Sequence, residues 1–129
     1  KLCDFGLASR MSAPGADDLK GVVGTATYMA PEMLLGERYG PKVDVWAVGT
    51  LAYVVLFGQW PFQPEAANRE AVMHAIASGA FAPDFRSRHG LAQISASCTG
   101  WCRTLLARDP AQRPTAQEAA EHPLFLAQW

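Results

Sequence analysis

Residues 44–58 read DVWAVGTLAYVVLFG, the most apolar segment of the chain. Asp44 at its start and Gly58 just past its end are helix start and stop signals, so the segment predicts a helix. Its apolar residues, Val45, Trp46, Ala47, Val48, Leu51, Ala52, Val54, Val55 and Leu56, surround the helical circumference and leave no polar face. A helix of that kind is expected to be buried on every side. In a chain of 129 residues this is unusual, and it suggests packing partners outside the chain.

Downstream of the Gln59-Trp60-Pro61-Phe62 break, Asn68 can cap a helix carrying Ala71, Val72, Ala75 and Ile76 on one face, ended by Gly79. An irregular stretch follows from Ala80 to Gln93. Ser95 opens a third helix, with Cys98, Trp101, Cys102, Leu105 and Leu106 at three and four spacing, and Asp109-Pro110 stops it. Thr115 and Glu118 make a capping box, which starts a last helix expected to run to about His122. Upstream, Pro31 to Gly36 predicts a short helical turn. The first thirty residues lack sustained periodicity and read as a long loop, and loops of that length are usually functional.

Eleven Lys and Arg stand against twelve Asp and Glu, a formal charge of −1, which leaves no electrostatic footprint for nucleic acid or anionic membrane. With 50% hydrophobic and 18% charged residues the chain is too apolar for disorder. Its longest apolar run, Val45 to Phe57, contains Gly49 and Thr50 and falls short of the roughly 20 residues a membrane span needs, so a soluble protein is expected. Cys3, Cys98 and Cys102 are odd in number and lack paired spacing, which argues against a disulfide framework or a zinc ribbon. Free thiols fit a reducing compartment, the cytoplasm or the nucleus. His74, His89 and His122 are scattered, and core packing accounts for Cys98 and Cys102 better than a metal site does. The abrupt opening at Lys1-Leu2-Cys3 without an initiator Met reads as a fragment whose N-terminal part is missing.

Asp4-Phe5-Gly6, Gly24-Thr25-Ala26-Thr27-Tyr28-Met29-Ala30-Pro31-Glu32, Asp44-Val45-Trp46-Ala47-Val48-Gly49 and Arg108-Asp109-Pro110-Ala111-Gln112-Arg113-Pro114-Thr115 follow one another in that order. Together they resemble the C-terminal half of a eukaryotic protein kinase domain, over essentially the whole chain. Val22 to Glu32 and Tyr39 to Trp46 resemble, more particularly, the calcium-dependent and calmodulin-dependent group. The resemblance implies a mainly α fold, the large helical lobe of the kinase fold without its N-terminal lobe and catalytic loop. Residues 1–32 would form the magnesium-binding and activation segment and residues 33–126 the helical lobe. It further implies a parent serine/threonine kinase that uses ATP and Mg2+ to phosphorylate Ser or Thr hydroxyls of protein substrates, this chain alone being inactive. The alternative is a pseudokinase, a binding or allosteric scaffold. Calcium or calmodulin regulation would lie outside the chain, which has neither an EF-hand loop nor a calmodulin-binding helix.

The same resemblance assigns roles. Asp4 becomes the magnesium ligand, Phe5 a hydrophobic anchor that sets where Asp4 faces, and Gly6 the residue that permits the backbone to change. Cys3 would line the back of the ATP pocket. Thr25 would place its hydroxyl near the catalytic Asp and Lys of the missing loop, although local chemistry also allows a loop hydroxyl bonded to nearby backbone. Val22, Ala26 and Met29 would wall a pocket for a hydrophobic residue just after the phosphoacceptor, or simply pack the lobe. Glu32 and Arg113 resemble the buried ion pair that pins the end of the activation segment. Asp44 resembles the carboxylate that accepts backbone hydrogen bonds from the catalytic loop, and by local chemistry it is equally an N-cap. Gly21 stands where many kinases carry a phosphorylated Thr or Ser, so activity is expected not to depend on that phosphate. Ser9, Ser12 and Thr27 remain as other acceptors. The Gly-rich phosphate loop, its strand Lys, the partner Glu, the catalytic Asp and the metal-binding Asn are all expected before Lys1.

Overall fold

The computed structural model describes residues 1, 3–64, 68–86 and 94–126. Among these, six α-helices carry the architecture: α1 (Pro31–Leu34), α2 (Lys42–Phe57), α3 (Arg69–Ser78), α4 (Ala96–Leu105), α5 (Ala116–Ala120) and α6 (Pro123–Leu126). Single 3-10 turns stand at Phe5–Leu7, Ala26–Tyr28 and Pro110–Gln112. No sheet occurs among the described residues; the one strand-like pairing is an isolated antiparallel bridge between Leu19 and Tyr39. The lobe is therefore helical, as the periodicity of the sequence requires.

Local chemistry sets the helix ends. The Asn68 side chain accepts from the Ala71 amide at 2.8 Å and Ser95 Oγ from the Cys98 amide at 3.2 Å, each satisfying a donor that an N-terminal turn would leave orphaned. Gly58 and Gly79 close α2 and α3 in the left-handed region, at φ 66° and 69°. The Thr115 and Glu118 side chains and amides form the reciprocal capping box at α5. That helix ends at Ala120 rather than near His122, because Pro123 opens a separate helix whose Leu124 amide donates to His122 Nδ1 at 3.2 Å.

The core gathers around α2. Trp46, Tyr53 and Phe57 share one cluster with Ala75 and Ile76 of α3, Cys102 of α4, Leu106 at its end, and Met33 of α1. Trp46 stacks on Phe62 at 5.5 Å, and Tyr53 on Phe57 at 4.6 Å. Where α2 crosses α4 the close approach needs Gly49, since a Cβ there would lie 2.8 Å from Leu105 Cβ. Across the irregular segment after α3, the Tyr53 hydroxyl donates to the Asp84 carbonyl at 2.5 Å, and Phe85 packs edge-on against Tyr53 and Phe57. Residues 87–93, which include His89, lie outside the described residues.

Two expectations need correction. Asp44 is not the N-cap of α2: the helix begins at Lys42, Pro41 occupies the cap position, and Asp44 lies in the first turn. Nor is α2 buried on every side, for Val48, Leu51 and Val55 are 51%, 52% and 75% exposed. These three follow one another at spacings of three and four and form one stripe, opposite the face covered by α1, α3 and α4.

Candidate functional site

Asp4 is the only non-glycine residue at positive φ among those described, with φ 62° and ψ 67°. Asp tolerates this left-handed conformation better than most residues, yet it still costs about 1–2 kcal/mol, and strain of this kind concentrates at functional positions. The 3-10 turn Phe5–Leu7 follows directly, closed by the Ala8 amide on the Phe5 carbonyl at 3.0 Å. The turn folds the Asp4 carboxylate back over Gly6, so a Cβ at Gly6 would meet Asp4 Oδ1 at 3.5 Å. The carboxylate is exposed and takes part in no hydrogen bond or ion pair among the described residues. Phe5, expected as the hydrophobic anchor of this segment, is 69% exposed. Cys3 is exposed as well.

From Ser12 to Tyr28 the segment is held by local hydrogen bonds and by its contact with the turn ahead of α2. The Ser12 amide donates to Asp18 Oδ2 at 2.7 Å, and Ser12, through side chain and amide, holds the Asp18 carboxyl below the usual carboxylate range. Leu19 and Tyr39 exchange backbone hydrogen bonds at 3.1 and 3.0 Å, fastening this loop to the turn ahead of α2. Gly40 in that turn admits the passing chain, since a Cβ there would run into Ala16 and Asp17. Gly21 and Gly24 both adopt positive φ, 110° and 100°, in the loop that leads to Thr25.

The Thr25 hydroxyl has no hydrogen-bond partner among the described residues and opens onto a cavity of about 350 Å³, which Met29 and Asp44 also line. Thr25 and Asp44 are thus brought to one cavity. Asp4, Cys3, Phe5 and Gly6 lie outside its lining. Val22, Ala26 and Met29, expected to wall one pocket, do not line a common cavity among those described. Val22 is 45% exposed and lines neither neighbouring cavity, while Ala26 and Met29 are buried and face different ones.

Glu32 and Arg113 meet in a buried bidentate pair, Nη1 to Oε1 and Nη2 to Oε2 both at 2.7 Å. Arg113 also donates Nε–H to the Ala107 carbonyl at 2.7 Å, Nη1 to Lys42 at 3.1 Å and Nη2 to Arg108 at 3.0 Å. All five guanidinium donors are therefore used, the condition under which burying a charge is tolerated. The guanidinium carbon lies 5.0 Å from the centre of the Trp46 ring. Two cations escaped sequence reasoning. Lys42 Nζ donates to the Pro110 and Arg113 carbonyls at 2.9 and 2.7 Å, and Arg108 donates to the Ile76 and Ala77 carbonyls at the end of α3. The only signal for either was its place inside a quoted motif.

No group of three or more His, Cys, Asp or Glu side chains that could hold a metal occurs among the described residues. Cys102 is buried, and burial pushes its thiol up to about 12. Asp4 nevertheless suits magnesium, which prefers hard oxygen donors and takes one or two carboxylates alongside substrate phosphates.

The profile of the protein kinase domain matches residues 1–125. The chain is 43% identical over 123 residues to calcium-dependent protein kinase 21 of Oryza sativa subsp. japonica, covering 95% of this chain and 20% of that protein. It is 36% identical over 122 residues to the calcium/calmodulin-dependent protein kinase cmkA of Emericella nidulans, covering 95% of this chain and 28% of the relative. Over 135 residues it is 33% identical to mitogen-activated protein kinase kinase kinase 1 of Mus musculus, covering 100% of this chain and 9% of the relative. The chain thus spans well under a third of each of these relatives. On the match to its profile, the helical lobe and the ordered motifs, the chain belongs to the protein kinase domain family.

Proposed function

We propose that the full-length protein carrying this chain is an ATP-dependent serine/threonine protein kinase. The observation that carries the reading is the exposed Asp4 carboxylate at positive φ, ahead of a segment that brings the Thr25 hydroxyl to a cavity. Several side chains of the lobe are committed to anchoring: Glu32 to Arg113, Asp18 to Ser12, Lys42 and Arg108 to carbonyls. The exposed Asp4 carboxylate and the Thr25 hydroxyl are not. A strained, exposed carboxylate supports a role as magnesium ligand, and a free hydroxyl lining a cavity supports a role in positioning an acceptor hydroxyl.

Bound magnesium would neutralise charge on the ATP phosphates as the γ-phosphoryl group moves. This chain's part is to hold the oxygen ligand, present Thr25 and anchor the loop between them. The backbone bridge at Leu19 and Tyr39 fastens that loop part-way along, and the Glu32–Arg113 pair anchors the segment just beyond Thr25. Regulation by calcium or calmodulin, through segments outside this chain, is part of the same reading; the names of two relatives support it.

Incubating the purified full-length protein with γ-labelled ATP, magnesium and protein substrates, followed by phosphoamino-acid analysis, tests the reading. Label on phosphoserine or phosphothreonine is expected. Nucleotide binding without transfer would identify a scaffold instead, and label confined to phosphotyrosine would overturn the assigned specificity.

A further inference from the structure

Ala13-Pro14-Gly15-Ala16 is a tight reversal in the segment ahead of Thr25. The Ala16 amide donates to the Ala13 carbonyl at 3.1 Å, and Gly15 stands at φ 78°, the conformation that a turn with Pro before Gly requires. Outside this turn one further contact closes the neck of the loop, the Ser12 amide donating to Asp18 Oδ2 at 2.7 Å. That contact has a cost. Asp18 Oδ1 is buried with no hydrogen-bond partner among the described residues, so a carboxylate oxygen has left water without a partner to replace it. Ser12, by side chain and amide, does most to keep the carboxyl ionised there, and Arg38 in the segment ahead of α2 adds a smaller attraction. The two residues just outside the neck, Met11 and Leu19, both line the cavity of about 350 Å³ onto which Thr25 opens. Leu19 is also the residue whose backbone pairs with Tyr39, itself part of that lining.

We propose that Asp18 is a positioning residue for the protein substrate: bonded to the Ser12 amide, it holds Met11 beside Leu19 as one wall of the Thr25 cavity, against which the chain around the acceptor hydroxyl rests. The proposal rests on the kinase reading above and adds to it a residue that touches neither substrate nor nucleotide. The turn itself needs only Pro14 and Gly15, so the buried carboxylate oxygen is explained by what the neck holds together. Leu19 is fixed to the lobe by its bridge to Tyr39. Met11 takes part in no backbone hydrogen bond among the described residues, so the tether at the next residue is what ties it to Leu19. Releasing the tether therefore frees the wall at Met11, while Asp4 lies outside the lining of that cavity and keeps its place. Asp17, the neighbouring carboxylate, is exposed and forms no hydrogen bond or ion pair among the described residues, which leaves the role to Asp18 alone.

Hydrogen–deuterium exchange on the full-length protein, read on fragments spanning residues 9–20, measures the tether apart from catalysis; kcat and KM for a Ser-containing peptide and for ATP measure its effect. In Asp18→Ala the loop should exchange about tenfold faster, the peptide KM should rise about fivefold and the KM for ATP should hold, as expected when one charge-assisted hydrogen bond near the surface is lost. A merely structural loss of folded protein would instead lower kcat and leave both KM values alone. Asp18→Asn keeps an acceptor oxygen and should shift both readouts by less, and it carries the test if the alanine variant does not fold. Asp17→Ala removes the neighbouring charge and should match the wild type. Unchanged exchange in the Asp18 variants, or faster exchange with the peptide KM unmoved, would overturn the proposal. Faster exchange together with weaker peptide binding by fluorescence anisotropy, in a protein that transfers no phosphate, would uphold the positioning role while defeating the kinase reading.

Discussion

Arg113 commits five N–H donors at one buried point, two to the Glu32 carboxylate and one each to the carbonyls of Ala107, Lys42 and Arg108. Lysine keeps the charge but offers three donors from a single nitrogen and cannot reproduce that fork. Arg113→Lys should therefore destabilise the lobe almost as much as Arg113→Ala, each by about 3 kcal/mol or more in urea unfolding followed by tryptophan fluorescence. A loss under about 1 kcal/mol for the lysine variant would show that the charge alone matters. The pair was legible in the sequence because both partners are side chains within recognisable motifs. Lys42 and Arg108 were not, since their acceptors are main-chain carbonyls, which every residue carries and no sequence marks. Cys102 gives a residue-scale pH dependence. Burial raises its pKa from 9.0 to about 12, so the fold favours the neutral thiol. Its contribution to stability is complete below pH 9.0 and declines as the pH rises towards about 12. Cys102→Ala should flatten the fall in stability over that range, and at pH 8 a thiol reagent should label Cys3 well before Cys102.

At the scale of elements, the helix termini were readable because capping is local. Asn68, Ser95 and Thr115 each bond an amide three residues away, and Gly58 and Gly79 supply the left-handed residue that ends a helix. Thr115→Ala should cost about 1 kcal/mol through loss of the capping box. What the sequence could not reveal was which face of α2 is covered, since apolar residues surround that helix and the choice depends on where α3 and α4 arrive. Nor did it reveal that Gly49 is the contact point of α2 with α4. A methyl group there has nowhere to go, so Gly49→Ala should destabilise the lobe by about 1–3 kcal/mol despite its gain in helix propensity. Thermal or urea unfolding distinguishes the outcomes, because a stabilised variant would mean that the two helices separate readily.

At the scale of the molecule, the helical lobe leaves Val48, Leu51 and Val55 in one exposed apolar stripe along its central helix. Contiguous surface of this kind associates, so the 129-residue chain expressed by itself should elute in size-exclusion chromatography as dimers or larger species. Replacing Val48 and Val55 by Lys should shift it towards the monomer. Elution of the unaltered chain as a stable monomer would show the stripe to be harmless. The central claim concerns the segment ahead of the lobe's helices, where the strained and exposed Asp4 carboxylate is assigned to magnesium. The measurement that tests it most directly is transfer of labelled γ-phosphate by the full-length protein and its Asp4→Asn variant, with ATP binding measured on both. The account predicts that transfer falls by at least about a hundredfold while the fold is kept, as expected when an electrostatic contribution of roughly 3 kcal/mol to the transition state is removed. Equal transfer by the two proteins would contradict it.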